Sequence, residues 1–209
     1  MTKVHPNSGD LPENGGREVI TGTTTTLTVW HKSLLFNCNG FTVYDDKGNL
    51  VFRVDNYSST TSGEVVLMDA AGKPLLTVRR KKLSLTDQWL IYNGEEMRNP
   101  RFTARKHMNI LQSKSLTQVS TCQKNSSVGA GCCYNIEGSY TQRSCMIYDE
   151  RHNPVAEIKR KEDVGGVAFG GEVFRLVVQP EIESTLAMAI VVLLDQMFGS
   201  KSALSLIRS

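Results

Sequence analysis

No stretch of this sequence stays apolar for long enough to cross a bilayer with ease. A spanning helix needs about 20 apolar residues. The longest uninterrupted run, Leu186 to Leu194, is about half of that, and Asp195 closes it. Met1 to Gly16 has no apolar segment of the kind that marks a secretory signal, so a reduced intracellular setting is expected. Met1-Thr2 is not a myristoylation start, and Leu206-Ile207-Arg208-Ser209 is not a prenylation box. The five cysteines are odd in number and irregularly spaced, a poor disulfide framework.

Catalytic and metal signatures are missing as well. His5, His31, His107 and His152 are scattered, and none belongs to a His-Glu-x-x-His or Cys-x-x-Cys pattern. Cys132 and Cys133 are adjacent, too cramped for an ordinary zinc pair. They read as small residues near a strand start, with a lipidated or redox-active pair as the alternative. There is no Gly-x-Ser-x-Gly elbow and no calcium loop of the D-x-[DN]-x-[DN]-G form. Gly165-Gly166-Val167-Ala168-Phe169-Gly170-Gly171 invites a phosphate-loop reading. However, Glu172 follows it instead of a Lys-Ser or Lys-Thr pair, and the next residues, Val173 to Val178, read as a strand. A phosphate loop opens a helix, so this segment reads as a strand connection. No enzyme, cofactor or metal is expected. The net charge of +3 is mild, and any basic function must come from local clustering.

What is present is β structure. Residues 1–22, with Pro6, Pro12 and several Gly and Asn, read as a flexible tail. From residue 23 to 209 one domain is expected. Short runs of Thr, Val, Phe, Tyr and Leu alternate with Asp, Asn and Gly, the pattern of many short strands. Three segments align without a gap: Tyr44 to Val54, Met68 to Val78 and Tyr148 to Ile158. Each reads as a strand, a tight turn led by Asp45, Asp69 or Asp149, and a second strand. Gly48, Gly72 and, in the third, Asn153 are the residues expected to take the positive φ of the turn. A meander of this length must close or be covered, because open edges invite aggregation.

After Pro180 the pattern changes to a helix near 182–198, with Glu181 and Glu183 early, Ser184 or Thr185 as cap and Gly199 as stop. Its middle is apolar on every face, so it is either buried or in a membrane. An all-β shell with one such helix points to a closed antiparallel barrel wrapped around it. Trp30 and Trp89 lie in strand-like runs and are expected in the core.

Long strings of this chain resemble the plant LURP-one-related family. They include Leu27-Thr28-Val29-Trp30-His31-Lys32-Ser33, Gly40-Phe41-Thr42-Val43-Tyr44-Asp45, Gly48-Asn49-Leu50-Val51-Phe52-Arg53 and Val66-Leu67-Met68-Asp69-Ala70-Ala71-Gly72. The resemblance runs from about Thr23 to the end. It implies a tubby C-terminal-like fold: a closed barrel of about twelve antiparallel strands enclosing a hydrophobic C-terminal helix. It also implies kinship with phospholipid scramblases and with tubby-like membrane-tethered transcription factors, and a link to plant defence. It carries no enzymatic activity.

The sharpest charge feature is Arg79-Arg80-Lys81-Lys82, which follows the second repeat. Lys159-Arg160-Lys161 follows the third in the same register. On one rim of a barrel, two such clusters would suit an anionic phospholipid or phosphoinositide headgroup, with Arg forking onto phosphate. The plain alternative is solvated strand ends that blunt the sheet against aggregation. Arg98, Arg101, Arg105 and Lys106 add charge, yet the basic balance is weak for nucleic acid. The expected function is a non-enzymatic binding module in plant signalling or defence, cytoplasmic or peripheral at the plasma membrane, with protein partners also open. A membrane-tethered transcription regulator with access to the nucleus, and a scramblase-like lipid carrier, are the rival readings.

Overall fold

The computed structural model describes residues 22–31, 40–55, 63–81, 87–107, 115–122, 133–161 and 171–199. The expected tail up to residue 21, Lys82, Cys132 and residues 165–170 lie outside them.

Twelve strands follow one another: β1 (Thr25–His31), β2 (Gly40–Tyr44), β3 (Leu50–Asp55), β4 (Glu64–Asp69), β5 (Pro74–Arg80), β6 (Gln88–Asn93), β7 (Phe102–Lys106), β8 (Ser115–Thr121), β9 (Cys133–Ser139), β10 (Ser144–Tyr148), β11 (Pro154–Arg160) and β12 (Val173–Val178). Each pairs antiparallel with its neighbours in sequence, and β1 pairs with β12, so the sheet closes. Closure removes the edge strands that an open meander would expose.

The three repeats are hairpins, and the leading Asp builds each turn. Asp45 Oδ1 accepts the amides of Lys47 (2.9 Å) and Asn49 (2.7 Å). Asp149 Oδ1 accepts those of Arg151 (2.9 Å) and Asn153 (2.7 Å). Asp69 Oδ1 accepts that of Lys73 (2.8 Å). Gly48 (φ 83°) and Gly72 (φ 89°) take the left-handed position as expected. In the third turn that position falls to His152 (φ 61°), not Asn153. The ring of His152 stacks on Tyr148 at 4.1 Å, and Asn153 instead donates its side-chain amide to Asp149 Oδ2 at 3.0 Å.

Alternation sorts the walls. Leu27 and Val29, Leu76 and Val78, Ala156 and Ile158, and Phe174 and Leu176 are buried, with counterparts at every second position of the other strands. They meet α1 (Ser184–Phe198), whose residues from Leu186 to Leu194 are all buried. Each such leucine or isoleucine contributes about 1.5–3 kcal/mol relative to exposure. The helix starts at Ser184 with Glu183 as N-cap, and no side chain caps it. Neither Ser184 nor Thr185 fills that role, because both already lie within the helix, and the carboxylate of Glu183 accepts from Arg101 Nη2 instead (3.1 and 3.2 Å). Gly199 ends the helix with φ −66°, its amide donating to Asp195 O at 2.8 Å. Trp89 is in the core at 5% exposed, but Trp30 is not, at 43% exposed. Leu27 and Val29 point inward, so Trp30 one residue on faces out.

The barrel has two unlike ends. The Asp-led turns and the start of α1 share one. Odd-numbered strands run toward the other, where α1 also finishes; Lys106 Nζ donates to Met197 O there at 3.4 Å.

Candidate anion-binding site

Because β5 and β11 run in the same direction, both basic runs arrive at the end where the helix exits. The ring does not bring them together. β5 and β11 stand six places apart among twelve strands, on opposite walls. Strands about 4.8 Å apart and tilted about 40° enclose a ring on the order of 20 Å across. One headgroup phosphate cannot touch both.

On the β5 wall the charge is spent internally. Arg79 forks onto its register partner Glu64, Nε to Oε2 at 2.8 Å and Nη2 to Oε1 at 3.0 Å. It also donates to Glu96 O (3.0 Å) and lies over the Tyr92 ring (4.9 Å). The bond to Glu64 raises its pKa, so it is held all the more firmly as a cation. Arg80 pairs with Asp87. Lys81 is exposed.

The β11 wall differs. Arg160 Nε donates to a carbonyl, Gln142 O, at 3.1 Å. Lys159 has Glu157 on its own strand at 3.2 Å, both partly exposed. Lys161 follows, half-buried. Beside them the turn between β9 and β10 delivers Arg143, with φ 52° and its amide donating to Tyr140 O (3.0 Å). Its guanidinium lies between the rings of Tyr140 (4.3 Å) and Phe174 (4.4 Å). Nε donates to Gly171 O at 2.9 Å. Arg143 is only 8% exposed, and its Nη1 has no hydrogen-bond partner. A buried donor left unpaired costs about 1–3 kcal/mol. Gln142, Arg143, Ser144, Lys159 and Arg160 line an open pocket of about 570 Å³. Among the described residues no carboxylate lines it. Neighbouring Cys145 is no nucleophile: burial pushes its thiol up to about 12.

The fold and the sequence both have counterparts. The family model described as LURP-one-related matches residues 25–195. The chain is 53% identical to Protein LURP-one-related 8 of Arabidopsis thaliana, over 96% of this chain and all of that one. It is 45% identical to Protein LURP-one-related 17 of the same plant, over 93% of this chain and 92% of the other. The chain belongs to the LURP-one-related family. The X-ray structure of an Arabidopsis thaliana protein shares the fold, with a TM-score of 0.60 and 22% identity over 83% of this chain and 91% of that one.

Behind the pocket, this LURP-one-related barrel closes its helix-exit end with a polar cluster. Tyr140 donates from its hydroxyl to Asp195 Oδ1 on α1 at 3.2 Å. His31 Nδ1 lies 2.6 Å from Glu172 Oε2, and its Nε2 lies 3.5 Å from Asp195 Oδ1. Burial, and the nearby Asp195 carboxylate, raise the Tyr140 pKa well above its usual value, so it remains a donor. Arg143 and this cluster were invisible to sequence reasoning. They come from β1, a turn, the start of β12 and the end of α1, and only barrel closure joins them.

Proposed function

We propose that this protein is a non-enzymatic binding module that engages anionic membrane phospholipid, a phosphoinositide headgroup in particular, at the pocket of Arg143, Lys159 and Arg160. The observation that carries this reading is how Arg143 and Arg160 are held. Each donates its Nε to a backbone carbonyl, and among the described residues neither guanidinium forms an ion pair with a carboxylate. A phosphate offers the forked acceptor geometry that guanidinium groups favour. Near an anionic leaflet each basic residue adds about 1 kcal/mol of attraction. The role this serves is peripheral attachment to a cellular membrane in plant signalling or defence.

The test is co-sedimentation with phosphatidylcholine vesicles, with and without phosphatidylinositol bisphosphate. Changing Lys159 and Arg160 together to Ala should weaken selective binding by about tenfold or more, since two contacts of about 1 kcal/mol each are lost. Changing Arg79 and Lys81 to Ala should leave selectivity in place. Equal losses from either pair would reduce the effect to diffuse charge. No binding at modest salt would end the reading.

A further inference from the structure

We infer that the wall carrying Trp30, Arg175 and Lys159 is the face laid against the bilayer, with the Trp30 indole seated among the lipid headgroups. The inference rests on the headgroup reading above and adds the orientation of the barrel on the membrane.

Trp30 and Met97 are the large hydrophobic side chains exposed among the described residues. Met97 lies in the β6–β7 connection, at the opposite end of the barrel from the pocket. Trp30 lies at the pocket's end and on its side. It pairs in register with Val173 of β12. Two residues back, Thr28 pairs with Arg175, and Arg175 pairs on its other side with Lys159. These positions share the outward parity, since Val29, Phe174 and Ile158 between them are buried. Lys159 is in turn paired with Ser144, which also lines the pocket. A strand spacing of about 4.8 Å and a rise of about 3.3 Å per residue put Trp30 roughly 10–15 Å from Lys159 along the wall.

The chemistry of this strip matches one occupant. Two carboxylates lie along it among the described residues, Glu157 against Lys159 and Glu172 against His31, and Lys159 and Arg175 together with Arg143 and Arg160 of the adjoining pocket leave the face positive. An exposed indole is an amphipathic plate, apolar in body with one N–H donor, and such rings settle at the membrane–water boundary. Cations that attract an anionic leaflet, beside an aromatic that enters it, fit a bilayer surface better than a protein groove. The pocket of Arg143 and Arg160 then opens toward the same leaflet.

Tryptophan fluorescence tests this directly, because the chain has two tryptophans and Trp89 is buried. The full chain is mixed with phosphatidylcholine–phosphatidylserine vesicles whose acyl chains carry bromine. The native protein should be quenched, and the Trp30→Phe variant, which retains Trp89 alone, should not. Trp30→Ala should weaken vesicle binding by roughly five- to tenfold while leaving binding of soluble inositol trisphosphate unchanged. Vesicle binding without quenching of Trp30 would overturn this orientation and leave the headgroup pocket standing. Loss of both vesicle and inositol trisphosphate binding in the native protein would remove the two together. Concentration-dependent dimers abolished by Trp30→Ala would assign the face to a second copy and overturn the inference.

Discussion

Arg79 and Lys159 hold equivalent positions on two hairpins of the same build, yet their surroundings are opposite. The hairpin of β4 and β5 places Glu64 across from Arg79, whereas the hairpin of β10 and β11 places Ser144 across from Lys159. One further residue along, Arg80 meets Asp87, whereas Arg160 meets the carbonyl of Gln142. A repeat fixes which end of the barrel a basic run reaches. The partner across the strand decides how its charge is held: Arg79 is forked onto Glu64 and largely covered, whereas Lys159 has only Glu157 of its own strand, with both side chains partly exposed. Two runs that look alike in one dimension therefore become, on one wall, two arginines held in separate ion pairs and, on the other, a basic open pocket.

Both walls depend on the same helix, which lies against β5 and β12. The largest effect is expected from disturbing it. Leu193 is fully buried. Leu193→Asp would place a carboxylate with no partner in the apolar interior, a cost no small domain tolerates. The variant should fail to give a cooperative unfolding transition, read by circular dichroism. A soluble, cooperatively folded variant would contradict the packing from which the two walls take their spacing.

Exchanging the cross-strand partners tests the comparison itself. Glu64→Ala strips Arg79 of its fork and should cost about 1–2 kcal/mol in denaturant unfolding, more than an ordinary surface pair, because both side chains are largely covered. The same change should give the β5 wall measurable affinity for anionic vesicles. Ser144→Glu does the reverse. It sets a carboxylate beside Lys159 and at the pocket lining, and should weaken binding to phosphatidylinositol bisphosphate vesicles by about tenfold with little change in stability. If the two substitutions left lipid binding as it was, cross-strand pairing would not be what separates the walls.

Much of the barrel was legible because its signals are local. The Asp-led turns, the period-two alternation and the apolar run from Leu186 to Leu194 each involve neighbours in sequence. Trp30 was misjudged for a related reason: an apolar residue at a strand's end has the right composition for a core, and only the parity set by Leu27 and Val29 turns it outward. The candidate site was half legible. Lys159 and Arg160 announce themselves as a run. Arg143 is a lone cation in a turn, and what gives it meaning is Phe174, 31 positions further along the chain and adjacent only because β12 pairs with β11.

The hairpins differ from one another in a smaller way that pH should expose. Asn49 and Asn153 donate their side-chain amides to Asp45 and Asp149, at 2.8 and 3.0 Å, whereas Lys73 holds the equivalent place in the Asp69 turn. Those bonds lower the pKa of Asp45 and of Asp149 below the ordinary 3.8. A carboxylate with a depressed folded pKa contributes stability that is present above its unfolded pKa and is lost as pH falls through the folded one. The contribution of these two turns should therefore be intact at pH 5 and vanish in the window that begins near that ordinary Asp value and extends below it. Replacing both Asn49 and Asn153 by Ala removes a donor from each carboxylate. The acid-unfolding midpoint, followed by near-ultraviolet circular dichroism, should move up by a few tenths of a pH unit, about the scale of a weakened exposed hydrogen bond. Lys73→Ala should leave it in place, because no side-chain donor to Asp69 is lost. An equal shift from Lys73→Ala would mean that the acid sensitivity belongs to the general charge of the hairpin end and not to the Asp–Asn pairs.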